Sequence, residues 1–322
     1  MHSAIFGQGS SLLGKIAKGG LRDDRGIPYK DFREKLRPKR VRIVFDIAGG
    51  LTALLITGLL GACAISSIPS AWLVIMTLCA IFFGYWMAYL QLFIHEAAHF
   101  HLTADRKLND RIANCLIGLW VGVRVENYRL IHWEHHRHLG SMSDSENSYF
   151  SALTFKFLCD TLLGLRALRV IRQRKRRIGV APVSGRGMLV CALSAHSLVV
   201  ASLVGAAGWP LGVAWMAGIG MFFPLFGALR QLLEHRSISA DRQVDYSLKP
   251  HGATTRMFRE GLFASTFGAA GFTRHALHHW DPSVSYTNLA DVESFLVRCG
   301  AAPNLSSEKT TYMRAFLALY GR

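Results

Sequence analysis

The chain has 322 residues, of which 51% are apolar and only 18% charged, and its mean hydropathy is positive. That balance argues against a pair of ordinary soluble domains and for one membrane domain with a cytosolic lobe. A net charge of +16 would suit a nucleic-acid binder, but the bases sit in blocks beside apolar runs. No nucleic-acid partner is therefore expected; the charge reads as membrane topology and attraction to anionic headgroups.

The first block is residues 1–42, with eleven Lys/Arg against four Asp/Glu. It reads as a basic cytosolic N-terminal segment. Residues 47–94 then carry no formal charge, and Pro69, among Ser66, Ser67 and Ser70, divides them. Each half is long enough to cross a hydrocarbon core about 30 Å thick, giving spans at about 47–67 and 71–93. The uncharged pattern recurs over 187–229, divided by Gly208, Trp209 and Pro210. It gives spans at about 187–207 and 211–229.

The expected fold is thus an all-α membrane protein with four transmembrane helices in two hairpins. Short uncharged tips and basic open ends place both termini in the cytoplasm. The apolar stretches Ile112–Val123 and Gly261–Phe272 are too short to span and suit re-entrant or interfacial helices. Residues 155–177 mix Leu and Phe with Arg and Lys, as a helix on the inner leaflet would. The six cysteines form no CxxC pair, which argues against a zinc ribbon or a disulfide framework.

Fourteen histidines are present, and nine fall in a pattern. His95 and His99 form H-E-A-A-H after the second span. His132, His135 and His136 form H-W-E-H-H. His235 follows the fourth span, and His275, His278 and His279 form H-A-L-H-H. Residues at i, i+3 and i+4 share a helix face, so each cluster can present its rings together. Imidazole suits iron, copper or zinc, and nine rings exceed the needs of one ion. Two ions with four or five nitrogens each account for the set. All four stretches fall on the side assigned to the cytoplasm by charge, an independent signal.

Three boxes in this order, with an isolated histidine after the last span, resemble the membrane fatty acid desaturases. The stretches HWEHHRHLG with Asp144 to Phe150, and HALHHWDPSVSYTNL from His275, carry the likeness, which covers roughly residues 45–290. The resemblance implies a helical cytosolic cap carrying the histidine boxes, a 43–290 desaturase-like domain and a 291–322 cytosolic tail. It implies two iron ions held by His95, His99, His132, His135, His136, His235, His275, His278 and His279, with O2 as co-substrate. Gln231 corresponds to a polar position near a metal-bound water. This sequence departs from the family pattern at Glu96, where many relatives have Asp, and at Trp280-Asp281-Pro282 after the third box.

Glu96, Glu134, Glu234 and Asp281 neighbour the histidines and are candidates for fixing ring tautomers. His101 and His138 fall off the box spacing and read as surface residues or supports. His196, inside the third span, reads as a hydrogen-bonded packing residue. His2 and His251 read as loop residues, and the basic run 172–177 as a headgroup-contacting face.

The expected reaction is desaturation of a lipid or fatty acyl chain in a bacterial inner membrane or ER membrane. Electrons would come from a separate ferredoxin or cytochrome b5 type donor. Hydroxylation of a lipid, carotenoid, sphingolipid or alkane is the alternative. H-E-A-A-H also matches the membrane zinc protease motif, with Glu96 as base, and a non-enzymatic metal carrier is a fourth reading.

Overall fold

A computed structural model describes residues 16–141, 143–146, 149, 151–170, 185–240, 254–301, 305 and 309–321. His2, His251, residues 1–15 of the basic segment and the run 172–177 lie outside them. The chain divides into two compact units: Arg40–Ile131 with Phe155–Leu229, and Met1–Lys39 with His132–Thr154 and Arg230–Arg322.

The first unit is built on four helices long and apolar enough to cross a membrane: Arg40–Ser67, Pro69–Ala98, Arg186–Ala207 and Trp209–His235. The last turn of the fourth belongs to the second unit. The breaks between them follow backbone rules. Ile68 separates the first two, and Pro69 opens the second, where a missing N–H costs nothing. Gly208, at φ 79°, ends the third helix, and Pro210 enters the first turn of the fourth. A second proline, Pro224, sits inside the fourth helix just after a widened turn, Gly218–Phe222. Such a turn absorbs the irregularity that an interior proline brings. The third helix has only 6% of its most apolar window buried within the protein, at a hydropathy of 2.0. So apolar an unburied surface requires lipid as its solvent.

In lipid, helix association depends on close packing more than on hydrophobicity, and small residues let backbones meet. A Cβ on Gly84 would lie 2.7 Å from the backbone N of Phe223 and 2.8 Å from the carbonyl of Gly218. One on Gly218 would lie 2.7 Å from Phe83 Cβ. The second and fourth helices therefore touch backbone to backbone at this pair. His196 locks the third helix similarly. Its Nδ1 accepts from Trp215 Nε1 at 3.1 Å, so Nε2 carries the proton and donates to the Trp120 carbonyl at 3.0 Å. This is the packing role expected of it.

The second and fourth helices run further than hydropathy alone suggests, through Ala98 and His235 instead of ending near 93 and 229. Side chains make the extension of the second possible. Arg129 Nε and Asn109 Nδ2 donate to the carbonyls of Ala98 and Ala97, each at 2.9 Å. They satisfy acceptors that a helix end otherwise leaves bare. The short apolar stretches are also bounded differently. The first begins its helix at Arg106, continues through the wider turn Asn114–Gly118 and stops at Gly122, φ 67°. In the 155–177 stretch the helix Phe155–Leu162 is followed by Gly164 at φ 71°. The 261–272 stretch keeps only Leu262–Phe267 as α-helix.

The second unit is made of three separated pieces of chain, and Tyr29 ties the first of them to the last. Its ring meets Trp280 at 4.7 Å and Phe295 at 5.5 Å, and its hydroxyl donates to Asp281 at 2.9 Å. Two-residue strands, Met257–Phe258 and Lys309–Thr310, pair in parallel. Beside them Glu293 accepts from Arg274 at 2.7 Å and pairs with Lys309. Burial would raise the Glu293 carboxyl, but these two cations outweigh it and hold it below its ordinary value.

Gly84→Val and Gly218→Val should each destabilise the protein by roughly 1–3 kcal/mol or more through overpacking. Gly205→Val, where no atom lies within 4 Å, should not. Thermal unfolding in detergent checks this. Glu293, with its folded pKa depressed, contributes stability above its unfolded value of 4.5 that disappears as pH falls below it. Glu293→Gln should therefore lower the melting temperature at pH 7 and flatten its decline on the acid side.

Candidate metal centre

Three helices carry the histidines of the second unit. His132, His135 and His136 lie in the last two turns of the helix Val125–His138. His235 ends the fourth long helix. His275, His278 and His279 lie on the short helix His275–Trp280, whose approach turns through Ala270 (φ 49°) and Gly271 (φ 85°). At Gly271 a Cβ would meet Tyr286 Cβ at 2.6 Å, so the turn needs glycine for space as well as for φ.

Within this unit the ring nitrogens form two groups. In the first, His132, His136 and His278 have one nitrogen each within 4.8 Å of the others. The Nε2 atoms of His136 and His132 are 2.9 Å apart, and those of His278 and His136 3.1 Å. In the second, His135, His235 and His279 meet the same 4.8 Å limit. His275 lies at its edge, Nε2 to Nε2 2.9 Å from His235 and 3.1 Å from His279. All are buried except His136 and His279, which are intermediate. His95 and His99 belong to the first unit, the one on the last turn of its second helix and the other just past its end, ring centroids 5.2 Å apart.

Nitrogens that converge Nε2 on Nε2 are a donor set for a cation, because neutral imidazole offers one lone pair and one N–H. Which nitrogen offers the lone pair is set by the partner of the other. His135 shows this. Its Nδ1 lies 2.8 Å from Asp144 Oδ1, and Asp144 is 2% exposed. A carboxylate only accepts, so the proton resides on Nδ1 and Nε2 is left as a ligand atom. Asp144 is itself fixed by the Tyr149 hydroxyl at 2.5 Å and the backbone N–H of Glu146 at 2.8 Å. Burial and the Asp144 charge push the Tyr149 phenol well above its usual range, so it stays a donor. Glu146 Oε1 lies 3.7 Å from His132 Nδ1, and Gln231 Nε2 donates to Glu146 Oε2 at 3.3 Å. His279 is pushed well below the ordinary histidine value, first by burial and then by His136, His275 and His235. A ring held neutral at pH 7 is what metal ligation requires. The residues present therefore fit histidine-ligated metal, iron included.

The four acidic neighbours picked from sequence fall in different places. Glu96, fully buried in the first unit, accepts from His101 Nδ1 at 3.0 Å and lies 3.8 Å from His95 Nδ1. Glu134 is partly exposed and pairs with Arg137 and His138. Glu234 lies 3.9 Å from Arg230 and 3.4 Å from the Tyr312 hydroxyl. Asp281 meets Tyr29, Ser283, Lys18 and Arg33, and against burial these keep its carboxyl below the usual value. Asp144 and Glu146, which sit on histidine nitrogens, were not among the four. They lie eight and ten residues after His136, beyond the reach of helical spacing.

Asp144→Asn should weaken metal retention by roughly 10–100-fold, because the amide can leave the Nδ1 proton of His135 without its acceptor. Metal per purified chain after mild chelation reads this out. Asp291→Asn, at a surface pair with Lys39, should retain metal like the parent.

No curated protein matches this chain. The family model for fatty acid desaturases, however, matches residues 69–299. That segment holds all nine patterned histidines, both nitrogen groups and three of the four apolar helices from their start. The protein is an integral membrane protein with histidine clusters suited to metal, and it belongs to the fatty acid desaturase family.

Proposed function

We propose that this protein is a di-iron, O2-dependent desaturase that introduces a double bond into a fatty acyl chain. The supporting observation is the pair of separate nitrogen groups within a chain of this family: one group would leave room for a single ion, and two account for a two-iron centre. His132, His136 and His278 would hold one ion, and His135, His235 and His279 the other, with His275 beside it. The box pattern adds His95 and His99 to the expected ligands.

Iron supplied with O2 and two electrons provides an oxidant strong enough to remove hydrogen from an unactivated methylene. The chain's own residues do the rest. Asp144 keeps the His135 proton on Nδ1. Glu146, hydrogen-bonded by Gln231, lies 3.7 Å from His132 Nδ1, too far for a hydrogen bond, and adds negative charge beside that ring. Burial keeps the rings unprotonated. A separate electron donor, of ferredoxin or cytochrome b5 type, supplies reducing equivalents. The basic flanks of the spans support a cytoplasmic side for this chemistry, for both termini and for the 291–322 tail.

The test is lipid analysis of cells expressing the parent and His278→Ala. New double bonds are expected with the parent and loss of at least 100-fold with the variant. Added oxygen in place of lost hydrogen would move the assignment to a hydroxylase. No lipid product from folded, two-iron protein supplied with reductant would sink the enzymatic reading.

A further inference from the structure

Arg256 lies outside every histidine box, yet it is only 7% exposed. A buried guanidinium persists only where its N–H groups are satisfied. Burial pulls its pKa down to about 10, so it remains a cation at neutral pH. One of its outer nitrogens donates to the Leu233 carbonyl at 2.8 Å and the other to the Arg236 carbonyl at 2.5 Å. These carbonyls flank His235 at the C-terminal end of the fourth long helix. There the last acceptors lack intrahelical partners and the helix dipole is negative.

The other side of the same residue holds the third box. The Arg256 carbonyl accepts from the backbone N–H of Ala276 at 3.1 Å, one residue beyond His275. Arg256 thus bonds both to the turn that carries His235 and to the helix that carries His275, His278 and His279. The His235 and His275 nitrogens that meet at 2.9 Å lie between those two attachments. Its own position is anchored. Met257 and Phe258 pair with Lys309 and Thr310, Arg259 N–H donates to the Thr310 carbonyl at 2.8 Å, and Tyr312 stacks on Phe258 at 3.7 Å. Lys309, Thr310 and Tyr312 lie beyond the segment that the family model matches.

We propose that Arg256 is a positioning residue that fixes His235 against the helix His275–Trp280, so that the group His135, His235 and His279 holds its ion only while this bridge is intact. The proposal rests on the reading of the two histidine groups as metal sites. Lysine brings the same charge on one nitrogen and lacks the two separate, rigidly held donor nitrogens that reach the two carbonyls here.

The experiment compares full-length parent and Arg256→Lys, purified from membranes in detergent. Iron per folded chain is measured together with the Mössbauer spectrum, helix content and monodispersity. The expected result is two ions in the parent and about one in the variant, with helix content unchanged and one iron environment lost. A role in folding alone would lower the yield and leave iron per folded chain at two, which overturns the proposal. If Arg256→Lys does not accumulate, Arg256→Gln, with a donor but no buried charge, is read the same way. Failure of both to accumulate also overturns it. A parent that binds no pair of ions sinks the functional reading itself, an outcome visible before any variant is made.

Discussion

Everything in the second unit depends on bringing neutral imidazoles within a few ångströms of one another and keeping them neutral. Protonated rings at such spacing would repel in a medium that screens poorly. Neutral rings with unassigned tautomers would offer the wrong nitrogen as often as the right one. Burial meets the first requirement: at His235, 3% exposed, it pushes the ring well below the ordinary histidine value. A carboxylate meets the second at His135, through Asp144, and Glu146 of the same loop lies 3.7 Å from His132 Nδ1. The loop that carries them is therefore as much a part of the site as the histidine helices.

The same economy governs the helix ends. A helix that stops at a metal site leaves carbonyls pointing into low-dielectric surroundings, where a lost hydrogen bond costs about 1–3 kcal/mol. Both long helices that deliver histidines finish on side-chain cations. Arg129, paired with Asp110, covers Ala97 and Ala98 after His95, and Arg256 covers Leu233 and Arg236 around His235. Each arginine comes from outside the helix it covers, so the position of the histidine is set by tertiary structure and not by its own helix alone.

This explains what was readable in advance. Charge-free runs and their proline breaks gave four membrane-length helices, because exclusion of charge from lipid is a local property of composition. Spacings of three and four gave three box clusters, because helical periodicity is also local. The last turns of the second and fourth helices were missed, since His95, Glu96, Glu234 and His235 look polar to a hydropathy window although all four are buried. The carboxylates were chosen by adjacency to histidine. Adjacent residues on a helix point about 100° apart, so Glu134 faces Arg137 and His138 and the ring-orienting acid comes from a loop instead.

Glu96 bears on the protease alternative raised by H-E-A-A-H. A general base in that motif must reach a water or a substrate proton. Glu96 is fully buried, with one oxygen accepting from His101 and the other facing His95. Its environment is that of a carboxylate that orients rings. The same five letters serve both chemistries because histidines at i and i+4 share a helix face in each; what separates them is whether the intervening acid opens to solvent or is buried among other imidazoles. Here it is buried, in agreement with the family to which the chain belongs.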